Sequence, residues 1–150
     1  MNRMLMIIGL AVLTAGCETK IQAETGKEWL DNIQAASKKN DTEALWKMCS
    51  KGAQDYFVEM AKMTKKKVQS KEALKRVLEI DADPKTISEI DLAKLLLGGK
   101  TGFASEMETY VYVSEKKDGD KIEVTFKSGG IENQIFLIKE EGTLKMVELE

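Results

Sequence analysis

The stretch DGDKIEVTFK (residues 118–127) predicts a tight turn followed by a β-strand, and it decides the fold class of this chain. Asp118-Gly119 is a hairpin turn signal, because the favoured two-residue turns need residues that tolerate a positive φ. Apolar Ile122, Val124 and Phe126 then alternate with charged or polar neighbours. This alternation is typical of an antiparallel strand that buries one face.

Further strands are predicted on both sides of this hairpin. Residues 108–114 are rich in β-branched and aromatic residues, which predicts a strand before the turn. Gly129-Gly130 and Glu141-Gly142 mark two more turns, so strands are expected over residues 131–139 and 143–149. The four strands follow one another along the chain with short connections, and such strands form an antiparallel meander.

The residues upstream of Met107 have helical periodicity and helix start signals. The predicted helices are one capped by Thr25 with Glu28, one capped by Asp41 and ending near Gly52, one over 53–62, one capped by Ser70, and one capped by Thr86 with Glu89 and ended by Gly98-Gly99. Helices followed by a meander predict an α+β fold, with N-terminal helices packed on a C-terminal four-stranded antiparallel sheet.

The amino terminus has the three parts of a secretory signal peptide. Arg3 supplies the basic start, an apolar run extends from Met4 to Ala15, and small residues precede Cys17. The apolar run is 12 residues long, whereas a spanning helix needs about 17–25. Two other interpretations are a plain membrane anchor and ordinary signal cleavage at Ala15 or Gly16 that leaves Cys17 as a free thiol.

The ending Leu13-Thr14-Ala15-Gly16-Cys17 resembles the lipobox of bacterial lipoproteins. The resemblance implies cleavage between Gly16 and Cys17, a diacylglycerol on the Cys17 thiol and an acyl group on the new amino terminus. It also implies a location on the cell envelope, anchored to membrane lipid on the periplasmic or outer face. The chain then divides into a signal peptide (1–16), a lipidated cysteine and tether (17–24) and one α+β domain (25–150).

The composition argues against a nucleic-acid partner and against a metal or cofactor site. The net charge is −2, and no basic patch is interleaved with aromatic residues, so a nucleic-acid partner is not expected. The chain has no histidine and two cysteines, so a zinc site is not expected. Its scattered carboxylates lack the spacing of a calcium loop, and no metal or cofactor is predicted. Cys49 shares a helical face with Leu45 and Met48 and is interpreted as a buried core residue.

A second resemblance concerns the domain itself. Asn40-Asp41-Thr42-Glu43-Ala44-Leu45, and the later run from Phe136 to Met146, are similar to the NTF2-like superfamily, especially its small DUF4878-like lipoproteins. The similarity covers residues 25–62 and 106–149. It implies a cone-shaped pocket between a curved sheet and its helices, which some relatives use for catalysis with buried Asp, His and Tyr side chains.

Three functions remain open at the level of sequence. The first is a non-enzymatic binding domain on the envelope, with an envelope protein or a small ligand as its partner. The second is an inhibitor or immunity lipoprotein, with an acidic or aromatic patch near residues 106–112. The third is a cryptic enzyme of isomerase or dehydratase type, but Asp91 is expected to point outward, and Tyr110 and Tyr112 are expected to be ordinary sheet aromatics.

Overall fold

The computed structural model describes residues 19–147. The helices are α1 (Gly26–Lys38), α2 (Thr42–Lys47), α3 (Lys51–Lys67), α4 (Lys71–Leu78), α5 (Glu89–Gly98) and the short α6 (Phe103–Glu106), and a 3-10 turn (Met107–Thr109) follows α6. The strands are β1 (Val111–Asp118), β2 (Lys121–Ser128), β3 (Ile131–Glu140) and β4 (Thr143–Met146). The strands lie in the order β1-β2-β3-β4 and all pair antiparallel. The α+β prediction, with a C-terminal four-stranded meander, is confirmed.

Side-chain caps start the first four helices. Thr25, Asp41 and Ser70 each accept a hydrogen bond from a backbone N–H in the first turn of the helix that follows, as predicted. Ser50 does the same for α3. Each cap satisfies one of the N–H groups that a helix start leaves without an intrahelical partner.

Three predicted helix boundaries are wrong. The helix predicted to end at residue 62 continues to Lys67 as α3. Gly52 does not end a helix but lies in the first turn of α3, with a negative φ, so its lack of a side chain terminates nothing. Thr86 does not cap α5, because its N–H bonds to the Asp83 carbonyl in the preceding turn (3.1 Å). Ser88 caps α5 instead, by accepting from the Asp91 N–H (3.0 Å).

The inner face of the sheet packs on α1. Val124 and Phe126 of β2 and Ile135 and Leu137 of β3 are buried in the same core as Trp29 and Ile33 of α1. The inner face therefore holds the apolar residues that the alternation of β2 predicts.

The start of α1 is closed against the sheet. Gly26 is buried, and its N–H donates to the Glu115 carboxylate of β1 (2.7 Å). A carboxylate at a helix N-terminus is favourable, because it meets both an unpaired N–H and the positive end of the helix dipole. A side chain at position 26 would collide with Val124, so glycine allows this close approach.

The two edges of the sheet differ. On β4, the Leu144 N–H donates to the Ala23 carbonyl, and Met146 exchanges backbone hydrogen bonds with the segment 48–50. On the other side, β1 pairs with β2 alone among residues 19–147. The register of β1 shifts between Tyr112 and Ser114, and a bulge of this kind is common on an edge strand.

Candidate functional site: the entry segment and its flanking clefts

The segment from Thr19 to Glu24, here called the entry segment, is packed against the domain. The Thr19 hydroxyl donates to the Asp41 carboxylate (2.6 Å), at the start of α2. The Asn32 side chain of α1 donates to the Gln22 carbonyl (2.8 Å). The sequence-based division places residues 19–24 in a tether, whereas the structure holds them on the domain from Thr19 onward.

The inner half of the entry segment is attached to β4. The Ala23 N–H donates to the Thr143 hydroxyl oxygen (2.8 Å), and the Ala23 carbonyl accepts from the Leu144 N–H (3.0 Å). Ala23 is 2% exposed. Because Thr143 lies 120 residues further along the chain, this contact ties the first described residues to the end of the fold.

The predicted lipid attachment at Cys17 and the cleavage between Gly16 and Cys17 lie outside the described residues. Cys17 is two residues before Thr19. Two residues of extended chain span at most about 7 Å. Whatever Cys17 carries is therefore close to the hydrogen bond between Thr19 and Asp41.

The first cleft lies beside the outer half of the entry segment. It has a volume of about 590 Å³ and is lined by Thr19, Ile21, Lys39, Asp41, Glu43, Ala44 and Lys47. The pKa of Asp41 lies below its ordinary value, first because Thr19 donates to its carboxylate and then because the Ala44 N–H does. Asp41 therefore stays ionised at neutral pH in its role as a cap.

A second cleft, of about 480 Å³, lies between the entry segment, α3 and the turn joining β3 to β4. Its lining includes Cys49, Thr143 and Lys145. Lys145 is only 9% exposed and forms ion pairs with Glu141 and, at 3.9 Å, with Glu140. The positive charge of Lys145 is therefore neutralised within the cleft wall, and its two partners leave one negative charge in excess.

Cys49 behaves as the core residue that was predicted. Its side chain is buried and donates to the Leu45 carbonyl (3.5 Å). Burial raises the pKa of its thiol to about 12, although nearby Lys145 opposes the shift. A thiol with such a pKa is almost entirely protonated at neutral pH, and only the thiolate is a strong nucleophile.

The residues weighed for catalysis are not brought together by the fold. Asp91 is exposed and accepts from the hydroxyl of its own helix cap, Ser88 (2.6 Å). Tyr110 stacks on Phe126, with ring centroids 4.2 Å apart. The Tyr112 hydroxyl donates to the Glu115 carboxylate on the same strand, β1 (3.4 Å). These contacts are those of a residue in a helix-capping turn, for Asp91, and of ordinary sheet aromatics, for Tyr110 and Tyr112.

The clefts on the entry segment were not predicted from the sequence. The motif Lys38-Lys39-Asn40 predicts only the end of a helix. No local sequence pattern predicts the contact of Thr19 with Asp41 or that of Ala23 with Thr143. Within residues 19–147, no group of three or more Cys, Asp or Glu side chains could hold a metal ion. No helix in this range has the length and apolarity needed to cross a membrane.

This chain matches no protein family, curated protein or solved structure with which it was compared.

Proposed function

We propose that this protein is a lipid-anchored lipoprotein of the bacterial cell envelope, and that its domain binds a partner without catalysing a reaction. The observation that carries the proposal is the attachment of the entry segment to the domain two residues after Cys17. An acyl anchor at Cys17 would hold the folded domain directly at the bilayer surface. Two or three acyl chains suffice for stable anchoring, since each buried methylene contributes about 0.8 kcal/mol.

The clefts beside the entry segment support a binding role. Both are lined by charged and polar side chains, and both share Ile21 and Lys47. Polar groups that converge in a concave surface fix the orientation of a bound ligand. The partner class that fits is a polar small molecule or a charged loop of an envelope protein.

The anchor is tested by intact-mass analysis of the full chain expressed in a bacterium. We expect loss of residues 1–16 and a mass gain matching an acylated cysteine, and we expect Cys17→Ala to release the protein from the membrane fraction. Cys49→Ala is the matched control and should leave the protein in the membrane fraction. An unmodified, uncleaved chain would contradict the proposal.

The binding role is tested by crosslinking in intact cells. A photocrosslinker at Gln54, in the wall of the second cleft, should capture a defined partner or ligand. The same crosslinker at Asp120, in the turn joining β1 to β2, is the control. Equal and diffuse crosslinking from both positions would remove the support for this cleft.

A second candidate function is inhibition of, or immunity against, an envelope-acting enzyme or toxin. The edge strand β1 favours it, because Val111 is 64% exposed and Val113 is 41% exposed beside a strand edge that has no partner within residues 19–147. Sheet edges bind partner proteins by adding a strand. In this case Val111→Lys with Val113→Lys should abolish a stoichiometric protein complex, whereas Lys47→Gln should not affect it.

A further inference from the structure

We infer that the end of the domain where α1 ends and α2 begins is the face that the protein lays on the membrane, with its lysines against the phosphates of anionic lipid headgroups. This end is here called the basal face. It comprises the ends of α1 and α5 and all of α2. The inference rests on the proposed lipid attachment at Cys17.

The length of chain between the anchor and the fold places this end at the membrane. Thr19 is fixed to Asp41 and is at most about 7 Å of chain from Cys17. The headgroup layer of one leaflet is about 5–8 Å thick, which is half the difference between the whole bilayer and its hydrocarbon core. The start of α2 therefore stays in or directly above the headgroup region while Cys17 carries acyl chains.

The neighbouring clefts show which elements share this end. Asn40, between α1 and α2, lines one cleft with Gly99 and Lys100, which follow α5, and lines another with Thr42 and Glu79. The cleft beside the entry segment joins Thr19 to Lys47 at the end of α2. The basal face therefore carries Lys38, Lys47 and Lys100, and all three are exposed.

Three acidic groups of the basal face have partners inside the domain. Asp41 accepts from Thr19, Glu43 pairs with Lys94, and Glu108 accepts from the Ser37 hydroxyl (2.7 Å). Lys38, Lys47 and Lys100 form no ion pair within the described part of the chain. Three exposed ammonium groups of this face are therefore available to an external phosphate. Hydroxyl partners leave Asp41 and Glu108 negatively charged, and Glu79 also lies on this face.

Lysines at this distance from a bilayer favour anionic lipid. Each one near an anionic surface strengthens association by about fivefold, and the effect fades beyond about 8 Å at physiological ionic strength. Because the acyl anchor already holds the protein on the membrane, the lysines set its orientation. They tilt the basal face toward the phosphates.

The opposite end of the domain is far from this face. The start of α1 bonds to Glu115 of β1, and α1 has 13 residues, so its two ends lie about 20 Å apart at 1.5 Å per residue. β1 continues past Glu115 to the turn that contains Asp120. Asp120 therefore points away from the bilayer when the basal face lies on it.

The orientation is tested with the acylated full chain in vesicles of phosphatidylcholine and phosphatidylglycerol that carry a spin label on the lipid headgroup. A fluorophore is attached at Lys38→Cys or at Asp120→Cys. Acylation occupies Cys17 and burial protects Cys49, so the label goes to the new cysteine. We expect strong quenching at position 38 and little at position 120. Equal quenching at both positions would overturn the inference.

A charge test accompanies the orientation test. With the label at position 38, Lys47→Gln with Lys100→Gln should reduce the gain in quenching that phosphatidylglycerol gives over phosphatidylcholine alone. Lys117→Gln with Lys121→Gln, in the hairpin joining β1 and β2, removes the same charge and should leave that gain unchanged. An equal effect of the two pairs would overturn the role of the basal lysines.

The two proposals fail in distinguishable ways. Intact mass is measured first, and a chain without acyl groups would defeat the lipoprotein proposal itself. An acylated, membrane-bound protein whose two labels are quenched alike would leave the anchor intact and defeat only the orientation.

Discussion

Replacing Gly26 by alanine tests how closely α1 approaches the sheet. A Cβ atom at this position would lie less than 3.0 Å from a methyl group of Val124 and 2.8 Å from the Glu115 carboxylate. Val124 is 1% exposed and packed in the core, so it has little room to move. The start of α1 must therefore shift and lengthen its hydrogen bond to Glu115.

The cost follows from these contacts. Overpacking a tight core position costs about 1–3 kcal/mol, and a weakened hydrogen bond adds roughly 1 kcal/mol. Alanine recovers up to about 1 kcal/mol of backbone entropy relative to glycine. The net loss in the free energy of unfolding is therefore about 1–3 kcal/mol, which corresponds to a fall in Tm of roughly 4–12 °C for a domain of this size.

The assay is urea unfolding of a protein comprising residues 18–150, followed by circular dichroism, with a thermal melt beside it. Gly52→Ala is the matched control, because Gly52 is exposed in α3 and a Cβ there would meet only the Ser50 hydroxyl oxygen, at 3.9 Å. We expect the control to be unchanged or stabilised by up to about 1 kcal/mol. Equal stability of the two variants would refute the close approach of α1 to β2.

Three further outcomes are expected. Thr143→Val should destabilise the domain by about 1–3 kcal/mol, because it leaves the buried Ala23 N–H without an acceptor, and Thr125→Val on the outer face of β2 is the control in the same melts. Asp41 has a lowered pKa in the folded state, so its stabilisation is complete above the ordinary value near 3.8 and is lost as the pH falls below it toward the folded pKa. Asp41→Asn should therefore reduce the loss of stability measured between pH 6 and pH 2.5. Cys49 should resist alkylation at pH 8 in the native protein and react fully in urea, and rapid native alkylation would contradict its burial.

The sequence predicts helix caps and the buried face of a strand well, because both depend on residues that are close together in the chain. Thr25, Asp41 and Ser70 cap the helices that directly follow them. The alternation in β2 likewise identifies its buried face. Capping and alternation act over a few residues, so both leave a local pattern.

Prediction fails where two local choices compete. Thr86 and Glu89 match a capping box, but the Asp83 carbonyl accepts from both the Thr86 and Ile87 N–H groups and forms a turn there. The helix then begins two residues later, at the Ser88 cap. Sequence spacing alone does not reveal which of two adjacent caps forms.

The candidate site was beyond sequence reasoning for a different reason. Its contacts join distant segments, such as Ala23 with Thr143 and Thr19 with Asp41. A polar stretch after a predicted signal peptide is itself predicted to be a tether, and nothing within residues 19–24 indicates that it packs on β4. Only the folded chain brings these groups within hydrogen-bonding distance.

The closed edge of β4 limits how copies of this domain can associate. On its outer side, the Leu144 N–H and both backbone groups of Met146 are already bonded to Ala23 and to the segment 48–50. Within residues 19–147 the sheet therefore has one edge, β1, at which another strand could be added. Two copies that joined their β1 edges around a two-fold axis would leave no free edge on either sheet. Edge-to-edge growth of this sheet would therefore stop at a pair and could not continue into a filament.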